Sequence, residues 1–197
     1  KMGESILSLH GIEDVLDLDN SYIEHSFFAR VIFNNNDTFE KIEPAGPDEK
    51  QDKMSVLVKT RPDLIHKTRL YDLDLKSTRS VDPSSFSRDA AEFEYDIQAA
   101  MGLDIVSANL KVDYETFLFL AVEKQAPHDA ILFDLLAEDI RRAKAEYIRR
   151  LKFIREAYNS GIWQGFQILA NDPDYPLITL RLPKYHADKY EYLNTKL

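Results

Sequence analysis

The sequence predicts a mixed α/β fold in which a central mixed sheet is flanked by helices. Several apolar segments have the alternation or the continuous apolar run of a β-strand, namely residues 54–60, 70–78, 116–123 and 128–135. Two further segments, which begin after Pro83 and at Leu136, have apolar residues three and four positions apart, as amphipathic helices do. Because these strands and helices are interspersed along the chain, we expect the helices to pack on the faces of one sheet.

The composition is that of a single domain with a sizeable core. The chain has 197 residues, of which 44% are hydrophobic, and it contains no cysteine, which excludes disulfides, thiolate zinc sites and cysteine nucleophiles. The absence of cysteine suits a reducing cytoplasm, so we expect a cytoplasmic protein. No apolar run is long enough to cross a membrane, so we expect no membrane partner. Within the single domain, 1–197, we expect an N-terminal helical part and loop at 1–53 and a sheet core with a closing helix and tail at 54–197.

The charge distribution argues against a protein that coats nucleic acid with its whole surface, because the net charge is −9. Residues 137–160, however, carry seven basic and four acidic side chains. We expect this basic face either to be solvated or to contact DNA or a neighbouring subunit.

The first 53 residues are predicted to be helical up to an exposed loop. Residues 6–9 and 12–18 fit two short helices. A longer helix is predicted at 23–33, with Ile23, Phe27 and Ile32 on its apolar side. The proline, glycine and charged residues of 44–53 are typical of a loop, which a strand at 54–60 then follows.

Acidic and basic side chains share one face of the strand at 70–78. Polar and apolar residues alternate there, as in a half-buried strand. One face carries Tyr71, Leu73 and Leu75, and the other carries Asp72, Asp74 and Lys76. Asp72 is expected to face solvent or to support its neighbours from behind.

Asp63 joins this polar face if residues 66–69 form the turn of an antiparallel hairpin. Pairing of Ile65 with Leu70 would place Asp63 opposite Asp72 and diagonal to Asp74, since opposite residues point to the same side. A slip of one residue would send Asp63 to the other face. The favoured register therefore gathers carboxylates and one ammonium on a single patch.

This patch suits a hard divalent cation. Mg²⁺ takes oxygen ligands and is held by one or two carboxylates together with waters and substrate phosphate. Asp63 and Asp74 are therefore candidate ligands, and Lys76 is placed to orient and deprotonate an attacking water. The residues predict metal-dependent phosphodiester hydrolysis. A plain solvated strand face with a weak surface ion pair is the alternative.

The second half of the chain is predicted to alternate between helices and strands. A single helix after Pro83, capped by Ser84 or Ser85, is expected to end near Gly102. Its apolar stripe is Phe86, Ala90, Phe93, Ile97 and Met101. A buried strand at 116–123, a strand at 128–135 and a long helix at 136–158 follow, the last ended by Gly161; the tail adds one strand at 177–182.

The order of Asp63, the triplet Asp74-Leu75-Lys76 and a helix carrying Tyr95 and Gln98 resembles the PD-(D/E)XK nuclease superfamily. Its restriction-endonuclease-like core consists of a helix, three strands, a helix and a strand. Within it, the sequence is most similar to the exonuclease VIII (RecE-type) recombination exonucleases. The resemblance spans residues 58–166 and includes Arg88 as well as the segments 117–124 and 161–165.

The resemblance implies digestion of linear double-stranded DNA from its ends, 5′ to 3′, leaving single strands for an annealing protein in recombination. It also implies Mg²⁺, with Mn²⁺ able to substitute, a ring-shaped homo-oligomer, and a bacterial or prophage-encoded source. Asp63, Asp74 and the Leu75 carbonyl would bind metal, and Lys76 would be the catalytic lysine.

The remaining roles follow from the same resemblance. Gln98, Tyr95 and Arg88 would position the substrate. His25, in the helix predicted at 23–33, would match an upstream histidine that completes the metal site. One position departs from the family pattern, because Gly102 stands where a tyrosine is usual.

Three alternatives remain open at this point. The first is a PD-(D/E)XK endonuclease that cuts internal positions, and the second is a catalytically inactive nuclease fold used for DNA binding or assembly. The third is a different location of the site. Residues 47–50 have the sequence Pro-Asp-Glu-Lys, so Asp48 and Lys50 could take the roles of Asp74 and Lys76. Because that segment is predicted to be a flexible loop, it is not expected to hold ligands in fixed positions.

Overall fold

The computed structural model describes residues 1–163 together with residues 165 and 180. Residues 1–159 form one compact unit, whereas the second unit, 160–197, lies almost entirely outside the described residues, as does the strand predicted at 177–182. The helices are α1 (Met2–Leu7), α2 (Ile12–Leu16), a 3₁₀ turn (Leu18–Asn20), α3 (Pro83–Glu92), α4 (Tyr95–Leu110) and α5 (Ala137–Ser160). The strands are β1 (Ser21–Ile23), β2 (Phe27–Phe33), β3 (Phe39–Pro44), β4 (Ser55–Thr60), β5 (Leu64–His66), β6 (Tyr71–Thr78), β7 (Thr116–Glu123) and β8 (Ala130–Asp134).

The main sheet has five strands in the order β1-β5-β6-β7-β8. Strands β6 and β7 run parallel, from the pair Tyr71–Thr116 to the pair Thr78–Glu123, and the other neighbours are antiparallel. Helices cover both faces of the central strands, so β7 is an almost continuous apolar run. The predicted mixed sheet flanked by helices is confirmed.

A second sheet, in the order β3-β2-β4, was not predicted as such. The helix predicted at 23–33 is wrong, because these residues form β1, a short loop and β2. In β2 the buried residues recur every second position, at Phe27, Ala29, Val31 and Phe33. Aromatic and β-branched side chains favour such a strand. The segment 1–53 therefore holds two short helices and three strands rather than a helical part.

The hairpin of β5 and β6 has a register two residues away from the predicted one. Ile65 pairs with Asp72 rather than with Leu70, and Leu64 pairs with Leu73. A shift of two residues keeps every side chain on its predicted face. Its effect is to bring Asp63 level with Asp74 instead of Asp72. The turn is as long as predicted but lies one position later, at 67–70, and Leu70 adopts a left-handed conformation with φ of 56°.

The single helix predicted after Pro83 is wrong, because two helices meet at Phe93 and Glu94. Glu94 has a left-handed backbone with φ of 55° and breaks the helix there. Phe93, predicted to be part of the apolar stripe, is 61% exposed. The helix cap also differs: the Asp82 carboxylate accepts from the Ser85 N–H at 2.9 Å.

Helix α4 runs through Gly102 to Leu110 and lies between the two sheets. Ala99 and Leu103 pack with Phe117 of the main sheet. Ala100 packs instead with residues of the second sheet and of α5, such as Val31 and Tyr147. A helix that is apolar on all sides is buried in this way. Because α4 is packed against other elements on all sides, the helix continues through Gly102.

The remaining helices complete the layers. Ile12 of α2 packs against Leu73 and Leu120 on the other face of the main sheet. Helix α5 ends at Ser160, and Gly161 follows with φ of 71°, as predicted. No helix within residues 1–163 is long and apolar enough to cross a membrane.

The basic side chains of α5 are engaged within the chain. Six of the seven basic residues at 137–160 form ion pairs, namely Arg142, Lys144, Arg149, Arg150, Lys152 and Arg155. Arg155 is almost fully buried and pairs with Asp37 of the β2–β3 connection. These basic side chains therefore have partners within the chain, and the alternative of a contact with DNA or a neighbouring subunit remains open.

Candidate active site

Asp72, Asp74 and Lys76 project from one face of β6, as predicted, but that face is covered by α4. Asp72 is 2% exposed and Asp74 is 8% exposed. The strand is therefore buried rather than half-buried, and the alternative of a solvated face is wrong for Asp72 and Asp74. Leu75, predicted to face the core, is 49% exposed. The carboxylates lie inside the fold because the central strand is covered on both sides.

Asp63 is fixed beside Asp74 through the backbone of the neighbouring residue. Its Oδ2 accepts a hydrogen bond from the Leu75 N–H at 2.7 Å. Its own carbonyl accepts from the Glu24 N–H at 3.0 Å. Bonding at both ends holds the carboxylate against β6 at the level of Asp74. The Leu75 carbonyl remains a predicted ligand.

Asp74, Lys76 and Gln98 form a closed ring of polar contacts. Gln98 Nε2 donates to Asp74 Oδ1 at 2.5 Å, and Gln98 Oε1 accepts from Lys76 Nζ at 2.9 Å. Lys76 Nζ in turn lies 2.7 Å from Asp74 Oδ2. The structure thus brings the predicted positioning residue Gln98 to the predicted catalytic pair. One amide of α4 fixes both the carboxylate and the ammonium.

Tyr95, at the start of α4, supports the lysine from another side. Lys76 Nζ lies 4.5 Å from the centroid of the Tyr95 ring, within the range of a cation–π contact. The side chain of Lys76 is 19% exposed. Tyr95 therefore lies next to the ammonium, and its role in positioning the substrate remains a prediction.

Asp72 is buried next to the polar ring of Asp74, Lys76 and Gln98. Burial, and to a smaller extent the charges of Asp74 and Asp63, raise the pKa of the Asp72 carboxyl well above its usual range. The glycine at 102 makes room for it, because a Cβ there would lie 3.2 Å from Asp72 Oδ2. Gly102, which departs from the family pattern, is thus explained by contact with the buried acid. Of the two roles expected for Asp72, the structure favours support from behind.

Substitution of Gly102 by leucine is expected to destabilise the protein by about 1–3 kcal/mol, because the larger side chain overpacks the space held by Asp72 and Phe117. Adding Asp72→Ala should restore part of this loss. Chemical denaturation in EDTA measures both variants. Gly3→Leu is a suitable control, because a Cβ at Gly3 meets nothing within 4 Å. An unchanged unfolding free energy for Gly102→Leu would contradict the close packing.

The donors at this site suit a hard divalent cation. Asp72 Oδ1 and Asp74 Oδ2 are buried without a hydrogen-bond partner among the described residues, and the contact of Asp74 Oδ2 with Lys76 is an ion pair only. Buried acceptors of this kind are stabilised when a cation approaches them. Within residues 1–163, no three His, Asp or Glu side chains are arranged around a common metal position. A cation that keeps several waters and needs one or two carboxylates fits this set.

His25 is not on a helix, which corrects the predicted setting for this ligand. It lies in the loop between β1 and β2, exposed, with its ring against Tyr22 and Phe27 at centroid distances of 5.5 and 4.8 Å. It directly follows Glu24, whose amide binds the Asp63 carbonyl. The proposed role of His25 as a ligand remains a prediction.

Arg88 and the segment 47–50 lie apart from the ring around Asp74. Arg88 is exposed on α3, with Nη2 3.5 Å from the Ser85 hydroxyl. The segment 47–50 lies in the β3–β4 connection, where Glu49 pairs with Arg30 of the second sheet at 2.7 Å. Glu49 is the middle residue of that triplet, so the rejection of Asp48 and Lys50 as the site remains a prediction.

Comparison with known families supports the superfamily resemblance. The sequence model of the PDDEXK-like domain of unknown function (DUF3799) matches residues 34–164, about two thirds of the chain. A comparison with curated proteins gives no significant match. The narrower similarity to exonuclease VIII remains a prediction.

Comparison with solved structures supports the fold. A crystal structure described as a "putative exonuclease" from Eubacterium rectale aligns with a TM-score of 0.55 and 14% identity, over 96% of this chain and 64% of that protein. The chain thus spans less than two thirds of the length of that exonuclease structure. A second structure, SSO0001, aligns with a TM-score of 0.39 and 16% identity, over 72% of this chain and 55% of its own.

Proposed function

Because the chain belongs to the family of PDDEXK-like domains of unknown function, we propose that Asp63, Asp74 and Lys76 form the active site of a Mg²⁺-dependent deoxyribonuclease. The observation that supports this most directly is the ring of Asp74, Lys76 and Gln98 beside Asp63. An ion pair on a solvated strand face would not need a buried carboxylate and an amide from a second element to orient it.

The chain's own groups would divide the work as follows. Asp63, Asp74 and the Leu75 carbonyl would hold Mg²⁺, and the bound ion would supply charge stabilisation at the phosphate oxygens. Lys76 has three N–H groups, of which one binds Gln98. The others can orient a water or bind a phosphate oxygen while Asp74 remains close by. A fixed ammonium in a largely buried position stabilises developing negative charge more strongly than one in water.

The proposal extends to digestion of linear double-stranded DNA from its ends, 5′ to 3′, for recombination. It is supported by the resemblance of the motif order to the exonuclease VIII family. A ring-shaped homo-oligomer and an annealing partner are part of the same proposal and have the same support. Sedimentation of the protein with and without duplex DNA would measure the oligomer.

End-labelled linear duplex DNA and closed circular DNA of the same sequence test this function. We expect Mg²⁺ or Mn²⁺ to permit loss of the linear substrate, EDTA to prevent it, and the closed circle to remain intact. Comparing label released from 5′ and 3′ ends gives the polarity. Cutting of the circle would indicate an endonuclease instead. Failure to cut either substrate, together with no saturable metal binding, would indicate an inactive nuclease fold.

A further inference from the structure

Two basic residues meet at the edge of the main sheet that lies beyond Lys76. Strands β6 and β7 are parallel, so their carboxyl ends reach the same edge, with Thr78 paired to Glu123. Arg79 and Lys124 follow these ends, and the Lys124 N–H donates to the Thr78 carbonyl at 2.9 Å. Both side chains are exposed. Crevices outside the carboxyl ends of parallel strands are preferred ligand sites.

A pocket of about 370 Å³ occupies this edge. Arg79 and Lys124 line it from the strands, and Phe93 and Tyr95 line it from the junction of α3 and α4. Its volume is within the range of sites that bind small ligands. The pocket therefore combines cations with aromatic faces next to the proposed active site.

The aromatic side chains connect the pocket to the catalytic lysine. Phe93 is 61% exposed and stacks on Tyr95, with centroids 5.9 Å apart and planes at 28°. Tyr95 also lies against Lys76, at 4.5 Å. One continuous series of contacts thus leads from the ammonium to an open aromatic face.

The position of Phe93 is fixed by a contact from a distant helix. The helix break at Glu94 turns Phe93 outward. Arg150 of α5 binds both oxygens of the Glu94 carboxylate, at 2.5 and 2.6 Å. A left-handed glutamate costs free energy, so the ion pair helps to hold the break. The exposure of the Phe93 ring thus follows from the helix break that the ion pair between Glu94 and Arg150 helps to hold.

We propose that this pocket binds an unpaired nucleotide of a single DNA strand next to the phosphate to be cut. The base stacks on Phe93, and Arg79 and Lys124 contact the adjoining phosphates. Base stacking on aromatic side chains, together with contacts between cationic side chains and the phosphates, is the usual way in which single strands are bound. This inference rests on the proposed nuclease function and specifies the form of its substrate.

The charges in the pocket favour a single strand over a duplex. Asp89 and Glu92 also line it, so the two cations face two acids. Asp89 is partly engaged, with Oδ2 3.5 Å from the Thr78 hydroxyl. This balance suits one or two phosphates rather than the dense charge of a duplex backbone. A paired base also cannot expose its face to Phe93, because its neighbours in the duplex already cover it.

Fluorescence of 2-aminopurine within a short single-stranded oligonucleotide tests the stacking directly. In EDTA, the wild-type protein is expected to quench the fluorescence saturably, and Phe93→Ala should remove the quench and weaken binding about 5–100-fold. Phe93→Trp should restore both. Phe153→Ala, at another exposed aromatic residue, on α5, is the matched control and should behave as wild type.

The cations are tested through the salt dependence of the same binding. Arg79→Ala with Lys124→Ala should weaken binding and reduce the slope of log affinity against log salt by about 1.4, since each single-strand phosphate contact contributes about 0.7. When the same 2-aminopurine is placed inside a duplex, addition of the protein should not quench its fluorescence further.

The outcomes separate this inference from the nuclease proposal. No quench by the wild type, an equal quench by Phe93→Ala, or an equal quench with the duplex would overturn the pocket, whether or not linear DNA is degraded. Quenching that depends on Phe93, in a protein that shows no metal-dependent cleavage, would support the pocket and overturn the nuclease. Because Phe93 is largely exposed, its substitution should leave the melting temperature unchanged, which circular dichroism checks.

Discussion

Replacement of Asp74 by asparagine is expected to lower the rate of Mg²⁺-dependent cleavage of linear duplex DNA by about 10³-fold or more. Asparagine keeps the shape of the side chain but removes the charge that pairs with Lys76 and would hold the cation. Binding of Mn²⁺, followed by electron paramagnetic resonance, should weaken in parallel. The two measurements together separate loss of the cation from loss of a proton-transfer group.

The fold should survive this change. Neutralisation of Asp74 removes a repulsion on the Asp72 carboxyl but also removes the ion pair with Lys76. Because these two effects oppose each other, we expect the free energy of unfolding in EDTA to change little. Asp48→Asn, in the loop that repeats the motif, should retain full cleavage. Cleavage by Asp74→Asn at the wild-type rate would contradict the assigned site.

Replacement of Lys76 by alanine is expected to lower the cleavage rate by about 10²–10⁴-fold while Mn²⁺ binding persists. The ammonium lies between Asp74 and Gln98, where it can orient a water or stabilise charge at the phosphate. Asp63 and Asp74 keep their other hydrogen bonds, to Leu75 and Gln98. Single-turnover cleavage at saturating Mg²⁺ measures the effect.

Arginine should not replace this lysine. Its planar guanidinium is larger than an ammonium and presents its donors in a fixed fork, whereas the space at Lys76 is bounded by Gln98 and the Tyr95 ring. Lys50→Ala is the matched control and should cleave normally. If Lys76→Ala cleaves within tenfold of wild type, the lysine is not part of the chemistry.

The face of each site residue was predictable because it depends only on parity along a strand. The predicted register was two residues from the observed one, which leaves the parity unchanged, and Asp63 still contacts the residue next to Asp74. The register itself was not predictable, since it depends on a turn in which Leu70 is left-handed. The pairing of Asp63 with Asp74, and its bond to Leu75, follow from that turn.

The errors elsewhere come from contacts between residues far apart in the chain. The spacing of Phe86, Ala90 and Phe93 fits one helix, and nothing local shows that Arg150 will bind Glu94 and help to hold the break. The strand β6 was expected to be half-buried because the sequence does not show that α4 covers its acidic face. Propensity is overridden where such packing is stronger.

Helix α4 connects the residues of the proposed active site to the second sheet. Helix α4 carries Gln98, which binds Asp74, and Gly102, which lies against Asp72. The same helix carries Ala100, which packs with Val31 and Phe33 of the second sheet. Close-packed interiors transmit displacement rather than absorb it. The second sheet holds none of the proposed catalytic residues, yet it packs against the helix whose Gln98 contacts both the Asp74 carboxylate and the Lys76 ammonium.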